Sequence, residues 1–416
     1  MRHSSGQVAV IGGGWSGLAC AERLASSLGS DRVVLFEAAP QLGGRARGLL
    51  WEDGVPIDAG QHLLIAAYRE TLALLQRSGA LRPRHWRMDW LQWSSHCGEQ
   101  SESLPGLLPD LLACWPQLQR RPVRDLAVDQ WLLQSRCSSR LMAHLLRPLA
   151  ESALNTDWTE ASALCFQTVL RDACRRGPLS LRTLHPRSNL SIDGVDPIAH
   201  RLSALGVKIE LRSRVTRLIP AALGRWAIEG PAGRFDKTFD EVVMALPDSS
   251  LRRLLQGVPH GPEPDARAIG TLFLLFPPGH RHRPPGRIQC FQGADRRQGP
   301  VMGLARPPGP WGQVLAMVVS ALPQQRDAQD EARLRAQAAA EQWLGGAQPT
   351  RLQWLVDRQA TWPASPEALA RQATLGEARA LGGGLWHCSD QMAPGYPATI
   401  ESAVRAGRAA ALALLS

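Results

Sequence analysis

The 416-residue chain is long enough to bury a sizeable core and to form two domains. With 44% hydrophobic and 20% charged residues it reads as globular rather than disordered. Its formal net charge of +10 is almost all arginine, with Lys208 and Lys237 as lysines, and is spread without a basic block; that argues against nucleic-acid binding and leaves weak attraction to anionic membrane surfaces. No apolar stretch reaches the length of a bilayer span, so no transmembrane helix is expected. The apolar run near the N-terminus reads as a strand rather than a signal peptide. The eight cysteines form no C-x-x-C pair and no zinc-spaced group with histidine. Most of them are expected to be small buried residues in a reducing compartment, with no metal.

Taken in order, Val8–Ile11 is a short apolar run of buried-strand type, and Gly12-Gly13-Gly14-Trp15-Ser16-Gly17 follows at once. Leu18, Cys20, Ala21, Leu24 and Ala25 recur at helical spacing, and a second strand, Val33–Phe36, ends on Glu37. Strand, glycine turn, helix, strand and acid make the βαβ dinucleotide fingerprint. Gly12 makes the tight turn, Gly14 lets the backbone approach a pyrophosphate, and Gly17 lets the helix pack close. The helix N-terminus turns its unpaired N–H groups to the phosphates. Glu37 stands where a carboxylate accepts from the adenosine ribose. Six residues on comes Gly43-Gly44-Arg45, which a nicotinamide-binding unit does not need.

Tyr68 to Arg77 reads as a helix with Gly79 as its stop. From Leu81 to Arg121 the character changes, with Trp86, Trp90, Trp93 and Trp115 among arginines. Leu104–Trp115 is apolar but too short to span a bilayer; it reads either as a core helix or as a segment dipping into a membrane interface. Further helices are expected at Val128–Gln134, at Ser138–Asn155 with Pro148 as a break, and at Ala161–Arg175. Asp196-Pro197 reads as a helix start with Asp196 as N-cap, and Gly206 as the stop. Strands are expected at Val207–Leu211, Arg214–Ile219, Arg225–Glu229, Glu241–Ala245, Ile269–Phe276 and Val314–Val319, with a helix at Ala328–Trp343. Pro277–Gly286 and Gly299–Gly312 read as loops. In the tail, Gly384–Asp390 is a strand ending on an acid. A helix starting near Thr399 would turn its positive end to a bound group.

The order Glu37, then Gly43-Gly44-Arg45, resembles the flavoprotein superfamily of amine oxidases and phytoene desaturases. Asp58-Ala59-Gly60-Gln61-His62-Leu63, Ala67–Thr71, Arg147-Pro148-Leu149, Ala153-Leu154-Asn155-Thr156, Val169–Asp172 and Pro397–Val404 narrow the resemblance, nearly end to end, to the hydroxysqualene dehydroxylases. The resemblance implies an α/β fold: a Rossmann-like FAD-binding domain of the glutathione-reductase type, with an interleaved α+β substrate domain. The first is expected to take 1–80, 190–250 and 375–416, the second 81–189 and 251–374. FAD is the implied cofactor, with Gly12, Gly14, Gly17, Glu37, Gly44, Arg45, Asp390 and Thr399 as contacts and Val215 on the strand that meets the adenine. The implied activity is reductive dehydroxylation of a long polyisoprenoid in hopanoid synthesis, with carotenoid desaturation or isomerisation as the alternative. Loss of hydroxide needs a proton or other support at the leaving oxygen, for which His62 is the candidate and Gln61 its orienter. The implied setting is cytoplasmic, peripheral on the inner face of the membrane. Ser389 stands where the family has glycine, so crowding of the pyrophosphate is expected there.

Overall fold

The computed structural model describes residues 6–175, 177, 181–255, 266–279, 287–293, 298–373, 379–393 and 395–416. Part of the expected loop at Pro277–Gly286 lies outside them.

A six-stranded sheet runs in the order Lys208–Glu210, Val33–Phe36, Val8–Ile11, Glu241–Met244, Leu385–His387, Arg379–Gly382. Its first five strands are parallel, and the last returns antiparallel. Every residue of Val8–Ile11 and Val33–Phe36 is buried, because both faces are covered. Val8, Val10, Val33 and Leu35 face helices Trp15–Leu28, Asp196–Ala204 and Ile400–Leu415. Ala9, Ile11, Val34 and Phe36 face a three-stranded meander made by Arg217–Pro220, Trp226–Gly230 and Gly233–Phe239. Val8–Ile11 pairs with Val33–Phe36 on one side and Glu241–Met244 on the other, so the chain order reverses there. The glycine turn leaves the sheet at that switch point, where ligands of open α/β sheets bind.

A seven-stranded sheet runs Arg351–Thr361, Arg267–Phe276, Gln313–Leu322, Val301–Ala305, Arg287–Gln292, Gln92–Cys97, Gln100–Ser103. Helix Arg326–Leu344 packs with one part of it. Helices between 104 and 174 pack against Trp93, Ile288, Cys290 and Leu304. Val301–Ala305 corrects the expected loop at Gly299–Gly312. Gly303 marks no turn: a Cβ there would stand 2.8 Å from the Trp343 ring, so the strand needs glycine to pass beneath it. Arg351–Thr361 was missed, although Leu352, Trp354 and Val356 alternate as a strand should.

Both proline breaks differ from the simple readings. The 138–155 helix is three pieces, Ser139–Leu141, a π-turn Met142–Leu146, and Arg147–Leu154. Pro148 has no N–H to give the carbonyl four residues back. That carbonyl, on His144, accepts instead from the Trp93 indole at 2.9 Å. Asp196 is not the N-cap, as had been expected: it is already helical, preceded by a π-turn Ser191–Val195. Here Pro197 frees the Asp193 carbonyl, which accepts from the Trp86 indole at 3.1 Å.

Among the described residues no helix is long and apolar enough to cross a membrane. All eight cysteines are free thiols, six of them buried.

Candidate active site

The site begins with three glycines whose roles separate cleanly. A Cβ on Gly17 would lie 1.8 Å from the Gly12 carbonyl, so glycine there is a packing requirement of the turn. Gly44 has φ +61, and a Cβ on it would come within 3.1 Å of Gly14 Cα. Gly14 is different: a Cβ there would meet nothing closer than Gly44 Cα at 3.8 Å. The protein leaves that volume open, as a backbone that receives a phosphate must. The two segments run side by side, joined by a parallel bridge between Gly14 and Gly43 and by Gly43 N–H donating to the Gly13 carbonyl at 2.9 Å. The Trp15 indole donates to Ala46 O at 2.8 Å and holds the second segment in place.

Glu37 braces this turn. Its Oε2 accepts from Gly13 N–H and its Oε1 from Ala39 N–H, both at 2.7 Å. A carboxylate has about four acceptor sites, so each oxygen keeps one lone pair for a ribose hydroxyl. Val215 corrects the expectation for the neighbouring strand: it lies on the extended link before Arg217–Pro220, not in it. The cause is local, since Arg212 and Ser213 donate to the Ala39 and Glu37 carbonyls and tie the chain there before pairing starts.

Arg45 and Asp390, from opposite ends of the chain, meet at 2.6 Å. Arg45 also donates to Ala360 O at 2.8 Å, which ties the glycine segment to the end of the Arg351–Thr361 strand. The Ala-Leu-Asn-Thr piece secures that junction from the other side. Asn155, left-handed at φ 46, donates to Thr361 Oγ1 at 2.8 Å, and Thr156 Oγ1 accepts from Ala364 N–H at 2.9 Å. Between these anchors sits Trp362, 5% exposed, its indole N–H without a partner. Sequence reasoning passed over this residue.

Gln61 and His62 occupy the loop after strand Pro56–Asp58. Gln61 Nε2 donates to the His62 carbonyl at 2.9 Å, while Gln61 Oε1 and His62 Nε2 are buried without a partner. Burial, and then the Arg45 charge, lower the His62 pKa to about 4. The ring is therefore neutral at pH 7. It can donate or accept one hydrogen bond but does not stand ready as an imidazolium acid. Beneath the loop, Asp58 and Arg306 form an ion pair at 3.4 Å with side chains 0% and 4% exposed. Burial raises the Asp58 pKa against the pull of Arg306. This pair was not foreseen.

Thr399 caps helix Ile400–Leu415 through a capping box, its Oγ1 accepting from Ser402 N–H at 3.2 Å. Its hydroxyl is thus spent on the cap, and the helix N-terminus is what it presents. Glu401, fully buried, accepts from Thr71 N–H and Oγ1 at 2.9 and 2.8 Å and pins helix Arg69–Arg77 to this end. Both tyrosines are here too, and Arg405 stacks over Tyr396 at 4.2 Å.

Ser389 is not strained. Its φ of −160° is open to any residue, and its hydroxyl accepts from Gln391 N–H at 3.3 Å, capping the 3-10 turn Asp390–Met392. Ser389→Gly should therefore not tighten cofactor binding, and should lose only about 0.3 kcal/mol of stability, since glycine is itself a tolerated cap; titration of the apoprotein with FAD and urea unfolding check both parts.

Acid should destabilise the fold through its neutral histidines. His185, 1% exposed, is also lowered to about 4, by burial, then Arg306 and Arg87. Both folded pKa values lie below the unfolded one near 6.5, so the unfolded chain takes up protons first. Stability is lost as pH falls from about 6.5 to about 4, by roughly 2–3 kcal/mol for His185 and less for the partly open His62. His185→Gln should flatten the urea midpoint against pH in that window.

A largely parallel sheet with a glycine crossing at its switch point, a braced acid, and unpartnered polar groups on Gln61, His62 and Trp362 define a dinucleotide-binding oxidoreductase of α/β type. The chain belongs to the flavin containing amine oxidoreductase family, whose model matches residues 15–415. It is 29% identical over 435 residues to a hydroxysqualene dehydroxylase of Rhodopseudomonas palustris, covering 97% of each chain. It is 27% identical to one from Sinorhizobium fredii, covering 98% of each. Among solved structures it resembles an oxidoreductase from Methanosarcina mazei, with TM-score 0.73, 15% identity and coverage of 97% and 99%. It also resembles the cyclohexylamine oxidase of Brevibacterium oxydans, with TM-score 0.69, 16% identity and coverage of 99% and 98%. These structural likenesses are of fold.

Proposed function

We propose that this chain is an FAD-dependent oxidoreductase that removes the hydroxyl group of hydroxysqualene to give squalene in hopanoid synthesis. The observation that carries the reading is the end-to-end match to curated relatives of that name. The site's own chemistry supports it. The open volume at Gly14, beside Gly12, Gly17 and Gly44, suits a pyrophosphate, and Glu37 suits the ribose with Val215 near the adenine. Arg45, Asp390 and the helix end at Thr399 would hold the remainder of the cofactor. We assign 1–80, 190–250 and 375–416 to that task and the rest to the substrate.

Bound there in reduced form, FAD supplies the hydride that replaces the departing oxygen. The chain's part is to support that oxygen and keep water out. Neutral His62, oriented through its loop by Gln61, is placed to give the leaving oxygen a hydrogen bond rather than a charge-bearing proton. Leu63, next in sequence, joins the apolar cluster of the helical region and gives an isoprenoid a dry wall. Amine oxidation is disfavoured: Lys208 is on the nucleotide sheet paired with Glu210 at 2.5 Å, and Lys237 is exposed on the meander. The protein would work on the inner face of the membrane, where the substrate is dissolved.

The test is anaerobic incubation of the purified yellow protein with chemically reduced FAD and hydroxysqualene in detergent, with squalene measured by gas chromatography. A colourless protein that cannot be reconstituted would overturn the reading. Turnover of phytoene in place of hydroxysqualene would move it to the carotenoid desaturases.

A further inference from the structure

On helix Leu104–Gln119 the polar residues Asp110 and Gln117 are half-buried, and Asp110 pairs with Arg140 at 3.3 Å. Leu107, Cys114 and Leu118 are buried at 0, 3 and 1%, and pack into the helical core. Half of the sequence reading was right, since that side is a core helix. The opposite side should then be polar, as on any surface helix. It is not. Pro105, Leu108, Pro109, Leu112 and Pro116 recur at helical spacing and are all exposed, Leu108 by 42% and Leu112 by 68%. The chain then continues into Arg120, Arg121, Val123 and Arg124, all exposed, with Val123 fully open. A stripe of leucine and proline facing water, followed at once by three arginines, is not explained by the packing of this protein.

We infer that this outer face of helix Leu104–Gln119, with the arginines after it, is the surface that docks on an anionic lipid bilayer. The occupant is set by two features. The apolar stripe is one helix wide and convex, which suits the acyl boundary of a membrane rather than a partner's groove. The flanking charge has the sign that anionic headgroups attract. A third feature ties the face to the site. The cluster that receives the inner side of this helix also contains Trp362 and, at its edge, Leu63 and Ala398, the neighbours of His62 and Thr399. The apolar material is therefore continuous from the exposed helix to the candidate active site. An isoprenoid leaving the bilayer beneath this face would stay within hydrocarbon surroundings. This last step rests on the proposed substrate; the docking face does not.

The experiment is flotation of the flavin-loaded protein with vesicles of phosphatidylcholine, with and without about one-third phosphatidylglycerol, at low and high salt. Wild type should float with the anionic vesicles at low salt and be released by salt. Leu108→Ser with Leu112→Ser should weaken vesicle binding roughly tenfold or more. Arg120→Gln, Arg121→Gln and Arg124→Gln together should remove the preference for anionic lipid. All variants should keep flavin absorbance and melting temperature, because every changed side chain is exposed. Squalene formation in detergent should also be unchanged. If the wild type stays in the aqueous layer, or the leucine variant floats as well as wild type, the inference is wrong. If vesicle binding behaves as stated while hydroxysqualene is not converted in detergent, the docking face stands and the substrate reading fails.

Discussion

A Glu37→Ala protein should leave gel filtration largely stripped of flavin. The carboxylate holds two positions at once. It would offer the ribose its remaining lone pairs, and it accepts from the Gly13 and Ala39 N–H groups. Removing it deletes a charged acceptor, at about 1.5–3 kcal/mol, and loosens the glycine crossing that must receive the pyrophosphate. Together these predict a dissociation constant raised by roughly ten- to a hundredfold or more. The ratio of flavin to protein absorbance after the column reports it. Glu37→Gln, which keeps one oxygen acceptor, should fall between. Full occupancy in the alanine variant, with a lowered melting temperature, would mean that Glu37 serves the turn alone.

The second large effect is on stability. Asp58→Ala leaves the Arg306 guanidinium in a site 4% exposed, with the Ser188 and Pro56 carbonyls as acceptors and the Asp193 carboxylate nearby to share its charge. Removing one partner of a buried ion pair costs about 3–5 kcal/mol. The Leu190 N–H, which donates to Asp58 Oδ1 at 2.8 Å, loses its acceptor as well. The melting temperature should fall by roughly 3–6 °C. Because Asp58 roots the loop carrying Gln61 and His62, turnover should fall with it even below the melting point. Asp58→Leu combined with Arg306→Met should recover much of the stability, since two apolar residues leave no stranded charge. A single variant as stable as wild type would show that the pair contributes little.

How far the sequence foretold this molecule depends on how local each cause is. The first βαβ unit was legible because its strand run, glycine turn and helical spacing lie within thirty residues and answer to their own neighbours. The same holds for the Thr399 cap, whose partner Ser402 is three residues away. Asp58 could be seen as part of a motif but not as half of an ion pair, because Arg306 is far along the chain and nothing near either residue announces the other. Gly303 was misleading, since glycine signals a turn unless one knows that a tryptophan must lie across it. Val215 was placed in a strand by the family resemblance, while two backbone bonds to Glu37 and Ala39 delay the pairing. Of the residues chosen from motifs, Gly12, Gly14, Gly17, Gly44 and Glu37 meet at one crossing, and Arg45 pairs with Asp390. What sequence did not supply was their protonation and prior commitments: His62 is held neutral, and the Thr399 hydroxyl is already bonded.

The two indoles that replace missing proline hydrogen bonds also bear on how the chain assembles. Trp93 serves a carbonyl 51 residues away and Trp86 one 107 residues away, and both belong to the short stretch 86–97. Neither broken helix can close its own ladder as it emerges; each waits for that stretch to arrive. Local helix growth is thereby made conditional on a long-range encounter, which slows the search. A change that loosens 86–97 should be felt at two distant helices together, Asp196–Ala204 beside the six-stranded sheet and Arg147–Leu154 in the helical cluster, so the two should melt together.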